Sequence, residues 1–312
     1  MNSDSASRID ALLPSEMAIK AEGIGVKKAG MDAASTFVLS LLAGAFIALG
    51  AVFSTTVVAG TAATLPYGVV RLLAGLVFTL GLILVVVGGA ELFTGNNLIV
   101  MAWASRKVST VLLLRNWLIV YLGNFVGAVG TAVLVYLGGQ YAFGNGAIGA
   151  AALTAASAKA GLGFGQAFVL GILCNGLVCL AVWLTYSARS TADKILAIVP
   201  PIAAFVAAGF EHSVANMYFI PIGLFIKTGA SDSFWSTLGK TAGDFPDLTW
   251  QHFFIGNLLP VTLGNIVGGA VLVGAVYWFV YLRTAKQVAP SETDTPREQS
   301  EEATNSVPVT TR

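Results

Sequence analysis

The chain has 312 residues, 56% of them hydrophobic and only 11% charged, with a mean hydropathy of +0.78. A soluble domain carries about 25% charged residues, so this chain lacks the polar surface to coat a globule of its size. That excludes a soluble enzyme, a disordered chain and a nucleic-acid binder, the last also because a formal net charge of +1 supplies no basic field.

Residues 1–30 are polar and charged, with no apolar run after a basic start, so they do not form a cleaved signal peptide. Within them Leu12 to Ile19, with Pro14 near the first turn, reads as a short amphipathic helix lying on the membrane surface. A membrane span needs roughly 20 apolar residues. Six segments qualify: 34–59, 69–102, 114–138, 164–187, 194–226 and 252–282. The second and fifth are long for one straight span, and each holds a Gly-rich polar interruption, which predicts a broken helix. Residues 285–312, rich in Pro, Ser, Thr and Glu, read as a disordered tail. Cys174 and Cys179 share one apolar run at a spacing unsuited to a disulfide, and their surroundings suggest no metal site. No cofactor is expected.

Orientation follows the Lys and Arg distribution. Thirteen of the 17 fall on one side of this plan, among them Lys28, Arg106, Arg189 and Arg283, against Arg71, Lys159, Lys227 and Lys240 on the other. Both termini are therefore expected in the cytoplasm of a bacterial-type inner membrane.

An internal repeat is visible. Asn116-Trp-Leu-Ile-Val-Tyr-Leu-Gly-Asn124-Phe-Val-Gly127 matches Asn257-Leu-Leu-Pro-Val-Thr-Leu-Gly-Asn265-Ile-Val-Gly268, in the third and sixth segments. Gly89-Ala-Glu91 followed by Asn96 matches Gly209-Phe-Glu211 followed by Asn216, at the two interruptions. Three spans per half would insert the second half upside down, the plan of transporters whose discontinuous helices handle substrate near the midplane. The expected fold is all-α, six spans in an inverted 3+3 repeat.

Ionisable residues are costly in hydrocarbon and face the protein interior or a water path. Here they collect at the two breaks. Glu91 and Glu211 occupy equivalent positions. They read as structural carboxylates holding loop amides or a neighbouring subunit, with a proton relay as the alternative. His212 titrates near neutral pH in its unperturbed form, which makes it a candidate proton or hydrogen-bond donor to a weak-acid anion. Thr94, at the other break, offers a hydroxyl to an anion or caps the following half-helix. Phe78, Leu82 and Phe205 read either as apolar gates or as packing. Lys159, the lone cation between the third and fourth segments, reads as a solvated loop residue.

At these residues the chain resembles the formate/nitrite transporter family. Val86 to Gly95 fits that family's first signature at every position, and Gly171 to Ala181 fits the second except at Gly176. Ser187 through Phe205 to Asn216, and Pro260 to Gly269, look most like the formate channel branch. The resemblance implies a homopentamer in the lipid bilayer with an aquaporin-like fold and one pore per protomer. By resemblance Leu92, Phe93 and Thr94 match the loop that breaks the second span. Phe78, Leu82 and Phe205 match constrictions, so Phe78, Leu82, Leu92, Phe93 and Phe205 are the candidate gates. His212 matches a central pore histidine and Glu211 its neighbour. Lys159, Asn175 and Asn265 match polar pore or support positions. Gly95-Asn96-Asn97 implies different flexibility in the breaking loop, and Gly176 implies looser packing beside Asn175.

The resemblance also implies a mechanism for formate or another small monovalent anion, nitrite and hydrosulfide included. Lys159 concentrates the anion, half-helix N-termini offer positive dipole ends, and Thr94 and His212 supply hydrogen bonds between the gates. Either protonated His212 gives its proton to formate, or neutral His212 only donates a hydrogen bond. The competing class is a membrane anchor for a redox complex. An embedded enzyme would need a nucleophile with a base, or metal ligands, which the sequence does not offer.

Overall fold

The computed structural model describes residues 11–61 and 64–284; the tail read as disordered lies outside the described residues. Helix α1 (Pro14–Gly30) precedes α2 (Ala33–Val58) and α3 (Tyr67–Gly88). After a break come the short α4 (Phe93–Asn96), a tight turn over Asn97–Ile99, and α5 (Val100–Ala104). Then follow α6 (Thr110–Leu137), α7 (Ala147–Ala160), α8 (Phe164–Ser187) and α9 (Thr191–Ala208). A second break leads to α10 (Ser213–Gly229), the short α11 (Asp232–Leu238) and α12 (His252–Tyr281). Among the described residues six helices (α2, α3, α6, α8, α9 and α12) are long and apolar enough to span a membrane.

Each start has a local cause. Asp32 caps α2 by accepting from the Ser35 amide at 2.9 Å, and Ser109 caps α6 by accepting from Leu112. Ser190 and Asp193 form a reciprocal capping box on α9. The breaks have a cause too. Gly89 and Gly209 take φ of +83° and +79°, which terminates α3 and α9 in the left-handed conformation that glycine adopts without strain. The next residues run extended, and a new helix begins behind Leu92 and behind His212.

Glycine also sets the helix crossings. A Cβ on Gly127 would collide with the Leu41 backbone, and one on Gly268 with the Ile172 backbone. So α6 lies directly on α2, and α12 on α8, in the small-residue packing of membrane helices.

Two expectations are corrected here. The N-terminal helix does not simply lie on a membrane surface: Met17, Ala18, Ala21, Gly25 and Ala29 are buried against α5, α8 and neighbouring helices. Its small-residue stripe allows this; a Cβ on Gly25 would sit 3.1 Å from that of Ala102. Glu22 pairs with Lys107, and Lys20 donates to the Tyr186 carbonyl at 2.7 Å. Lys159 is not in a loop but in the last turn of α7, an Ala-rich helix too short to register as a span. Gly176 leaves open space beside Asn175, as its small size implies: nothing lies within 4 Å of where its Cβ would stand.

Candidate functional site

The two breaks meet in the centre of the bundle, and each is held by the same lattice of side chains. In the first half Asn124, from α6, accepts from the Phe93 amide at 2.9 Å and donates to the carbonyls of Ser40 and Glu91 at 2.7 and 2.9 Å. In the second half Asn265, from α12, accepts from the Ser213 amide at 2.9 Å and donates to the carbonyls of Gly171 and Glu211 at 2.8 and 3.0 Å. Backbone leaving a helix at membrane depth must find partners within the protein, and these two buried amides supply them.

The carboxylates follow the same rule. Glu91 accepts from Lys28 Nζ and from Asn96 Nδ2, both at 2.7 Å, and Asn96 donates on to Asn116 at 3.0 Å. Glu211 accepts from Lys159 Nζ and Asn216 Nδ2, both at 2.7 Å, and Asn216 donates on to Asn257 at 2.7 Å. Asn116 then reaches the Lys28 carbonyl at 3.2 Å and Asn257 the Lys159 carbonyl at 2.9 Å. The carboxylate side chains thus hold lysines and asparagines rather than loop amides. Because Lys28 lies on α1 and Lys159 on α7, each half contains a short helix as well as three spans. The lattices differ at two bonds: Lys28 also reaches Asn96 Oδ1 at 2.9 Å, whereas the buried Asn216 Oδ1 has no partner among the described residues, and Asn257 also donates to Glu211 at 3.3 Å.

Two cavities approach the breaks from opposite ends. The α1 mouth, about 230 Å³, is bordered by Lys28, Glu91, Leu82, Leu92 and Tyr186. The α7 mouth, about 510 Å³, is bordered by Lys159, Glu211, Arg71, Phe78, Phe205 and His212. The expected gates divide accordingly, Leu82 and Leu92 on one cavity and Phe78 and Phe205 on the other. The Phe78 and Phe205 rings meet edge-on at 5.8 Å, and Phe205 stacks on His212 at 5.9 Å. Phe93 departs from its expected place. Its ring packs edge-on against Trp117 and Tyr121, at 6.1 and 5.0 Å, and borders neither cavity. It is the first residue of α4, where the side chain turns into the bundle.

Thr94 and His212 join the two halves between the cavities: Thr94 Oγ1 lies 2.9 Å from His212 Nε2, both residues buried. The other ring nitrogen, Nδ1, accepts from the Ala215 amide at 3.0 Å and caps α10. That bond assigns the proton of the neutral ring to Nε2, which points at Thr94. The Thr94 carbonyl is fixed in turn by Asn175 Nδ2 at 3.3 Å and Cys179 Sγ at 3.2 Å. Asn175 also donates to Asn97 Oδ1 at 2.8 Å and the Asn265 carbonyl at 2.7 Å. Asn175 and Asn265 are therefore wholly buried and border neither cavity. The leading amides of both half-helices are occupied by Asn124, Asn265 and His212, so these ends present an anion with a field rather than free donors at those positions.

Sequence reasoning passed over Lys28, Asn116, Asn124, Asn257 and Arg71 as site residues. The repeat contained the signal for the three asparagines, since each sits at a matched position. Lys28 carried none, because its helix had no visible counterpart, and Arg71 carried none, because it lies outside the matched positions of its segment.

The profile of the family described as formate/nitrite transporter matches residues 15–279. The chain is similar to a "Formate channel FocA" of Escherichia coli (strain K12), 48% identical over 274 residues, covering 88% of this chain and 96% of the relative. A "Formate channel FocA" of Haemophilus influenzae is 43% identical over 264 residues, covering 85% and 93%. A solved structure described as "Pentameric formate channel with formate bound" superposes with a TM-score of 0.77 at 46% identity, covering 80% of this chain and 98% of that one. An "FNT family ion channel" superposes with a TM-score of 0.71 at 30% identity, covering 85% and 99%. With its signatures, broken helices and repeat lattice on that scaffold, the chain belongs to the formate/nitrite transporter family.

Proposed function

We propose that this protein conducts formate across the membrane through a pore in each protomer. The observation that carries the reading is the Thr94–His212 bond between two opposed cavities: a hydroxyl and an imidazole N–H placed where a small anion would otherwise be stripped of water. Burying a bare carboxylate costs several kcal/mol. Lysine–glutamate pairs at both mouths, apolar side chains beside them and one polar pair in the middle lower that cost in stages. The formate channels among the relatives support formate as the principal substrate. Nitrite shares its charge and size class.

His212 works in this reading as a neutral donor. Making it imidazolium requires Nδ1 to release the Ala215 amide and uncap α10, so the resting ring donates a hydrogen bond and holds its proton. The protein assembles as a homopentamer, as in the pentameric relative. It sits in a bacterial inner membrane with both ends in the cytoplasm. The bias of Lys and Arg supports this, as does the contact of the end of α12 with α1 on one side.

The test is flux of formate, nitrite, acetate and hydrosulfide into proteoliposomes of the purified protein across pH 5 to 8. Saturable formate flux inhibited by nitrite is expected. No formate flux at any pH would overturn the reading, and would favour a membrane-anchor role.

A further inference from the structure

The two mouths are close copies with one electrostatic difference. At the α1 mouth the charged side chains on the cavity are Lys28 and Glu91, which pair at 2.7 Å and cancel. At the α7 mouth Lys159 and Glu211 pair at the same distance and cancel likewise. Arg71 borders the α7 mouth in addition. It has no carboxylate partner among the described residues, and the His212 ring on that cavity is neutral in the resting state proposed above.

Arg71 is also aimed. It rises from the first turns of α3, and its Nε donates to the Ala207 carbonyl at 3.2 Å while Nη2 donates to the Val206 carbonyl. These are the last carbonyls of α9, immediately beyond the Phe205 ring. A helix C-terminus carries about half a negative charge, which would repel an anion beside the Phe205 ring. At the matching place on the α1 mouth, where α3 ends at Gly88, no cation covers the carbonyls of Val86 and Val87 among the described hydrogen bonds. Two of the five N–H donors of the guanidinium are committed to the backbone. The remainder, and a charge that persists at every physiological pH, face the cavity.

We propose that Arg71 is the residue that makes the α7 mouth anion-selective and anion-collecting, with Lys159 largely spent on Glu211. The proposal rests on the transport reading above. An uncompensated charge at one vestibule raises the local anion concentration there, and salt screens it with a Debye length of about 10 Å at 0.1 M. Its signature is rectification: at low ionic strength, current is larger at the voltage that draws formate in through the α7 mouth.

The test is formate current through the purified protein in planar bilayers. Orientation is fixed by side-specific protease removal of a tag on the C-terminus, which follows the α1 side. In the Arg71→Gln protein, which keeps an amide donor for the α9 carbonyls, the polarity ratio at low salt should fall by roughly twofold or more and converge with wild type in high salt. Arg71→Lys should retain the wild-type ratio. In the unaltered protein, sodium gluconate added on the α7 side alone should abolish the rectification, and the same addition on the α1 side should not; this arm needs no variant to fold. An unchanged ratio in Arg71→Gln, an equal loss at both polarities that persists in high salt, or insensitivity to α7-side salt would overturn the proposal while leaving formate conduction standing. Absence of formate current in the unaltered protein would overturn both readings.

Discussion

Lys28 and Lys159 stand in the same relation to the two halves of this protein: each ammonium sits 2.7 Å from the glutamate of its own break, and each carbonyl accepts from an asparagine on the last span of its own half. The last turns of α1 and α7 are thus one position of a repeat, duplicated at opposite mouths. The differences between the mouths are smaller than their likeness, and the predictions below exploit both.

Removing either ammonium leaves a buried carboxylate facing its cavity, which repels the permeating anion as well as losing the pair. Lys28→Gln and Lys159→Gln should each raise the half-saturating formate concentration by roughly 2- to 5-fold in proteoliposome flux assays at low salt. An effect in Lys159→Gln alone would show that the repeat relation has no functional counterpart.

Asn124 and Asn265 each satisfy one amide and two carbonyls at a break. Replacement by Leu strands all three, and each orphaned buried group costs about 1–3 kcal/mol. Both variants should lower the thermal unfolding midpoint in detergent, and by comparable amounts because each asparagine makes the same set of one amide and two carbonyl bonds. A midpoint unchanged in either variant would refute the account of how the breaks are held.

His212 has two separable tasks, bonding Thr94 and capping α10. In His212→Asn the shorter side chain retains an acceptor for the cap, whereas in His212→Phe it does not. Loss of such a cap costs about 1 kcal/mol. Formate flux should fall in both proteins, but only the Phe variant should unfold at lower temperature. Equal stability of the two would show that the cap contributes nothing measurable.

Asp32 has its pKa pulled below the ordinary aspartate value, chiefly by the Ser35 amide it caps. A depressed carboxylate stabilises the folded state fully above its unfolded pKa, and that contribution is lost as pH falls through the folded value. The first turn of α2 should therefore exchange its Ser35 amide faster relative to the helix interior as pH drops from 5 to 3, after correction for intrinsic exchange. Asp32→Asn, which caps without titrating, should abolish the trend.

The legible part of the fold was the part written in contiguous residues. Long apolar runs located all six spans, the second and fifth together with the half-helices beyond their breaks, and the paired Gly-x-Glu interruptions located both breaks, because only glycine ends a helix in the left-handed conformation cheaply. The partners of those breaks were half legible. Asn124 and Asn265 lay in the repeated segment, but what an asparagine bonds is not encoded by its neighbours. Helix α7 was missed because an Ala-rich run of 14 residues is neither long nor hydrophobic enough to stand out. Phe93 was misplaced because a residue next to a pore in sequence turns into or away from it according to a dihedral angle.

What this sequence determined unaided is its solvent, its six spans, its two fractures and its internal duplication, since hydropathy and glycine placement act locally. The tertiary structure alone decided which charges cancel and which survive. Lys28 and Arg71 only count toward the charge bias and Lys159 reads as a solvated residue until folding brings a glutamate to each lysine and the end of α9 to Arg71. Charge pairing depends on distances between segments remote in the chain, and only packing sets those.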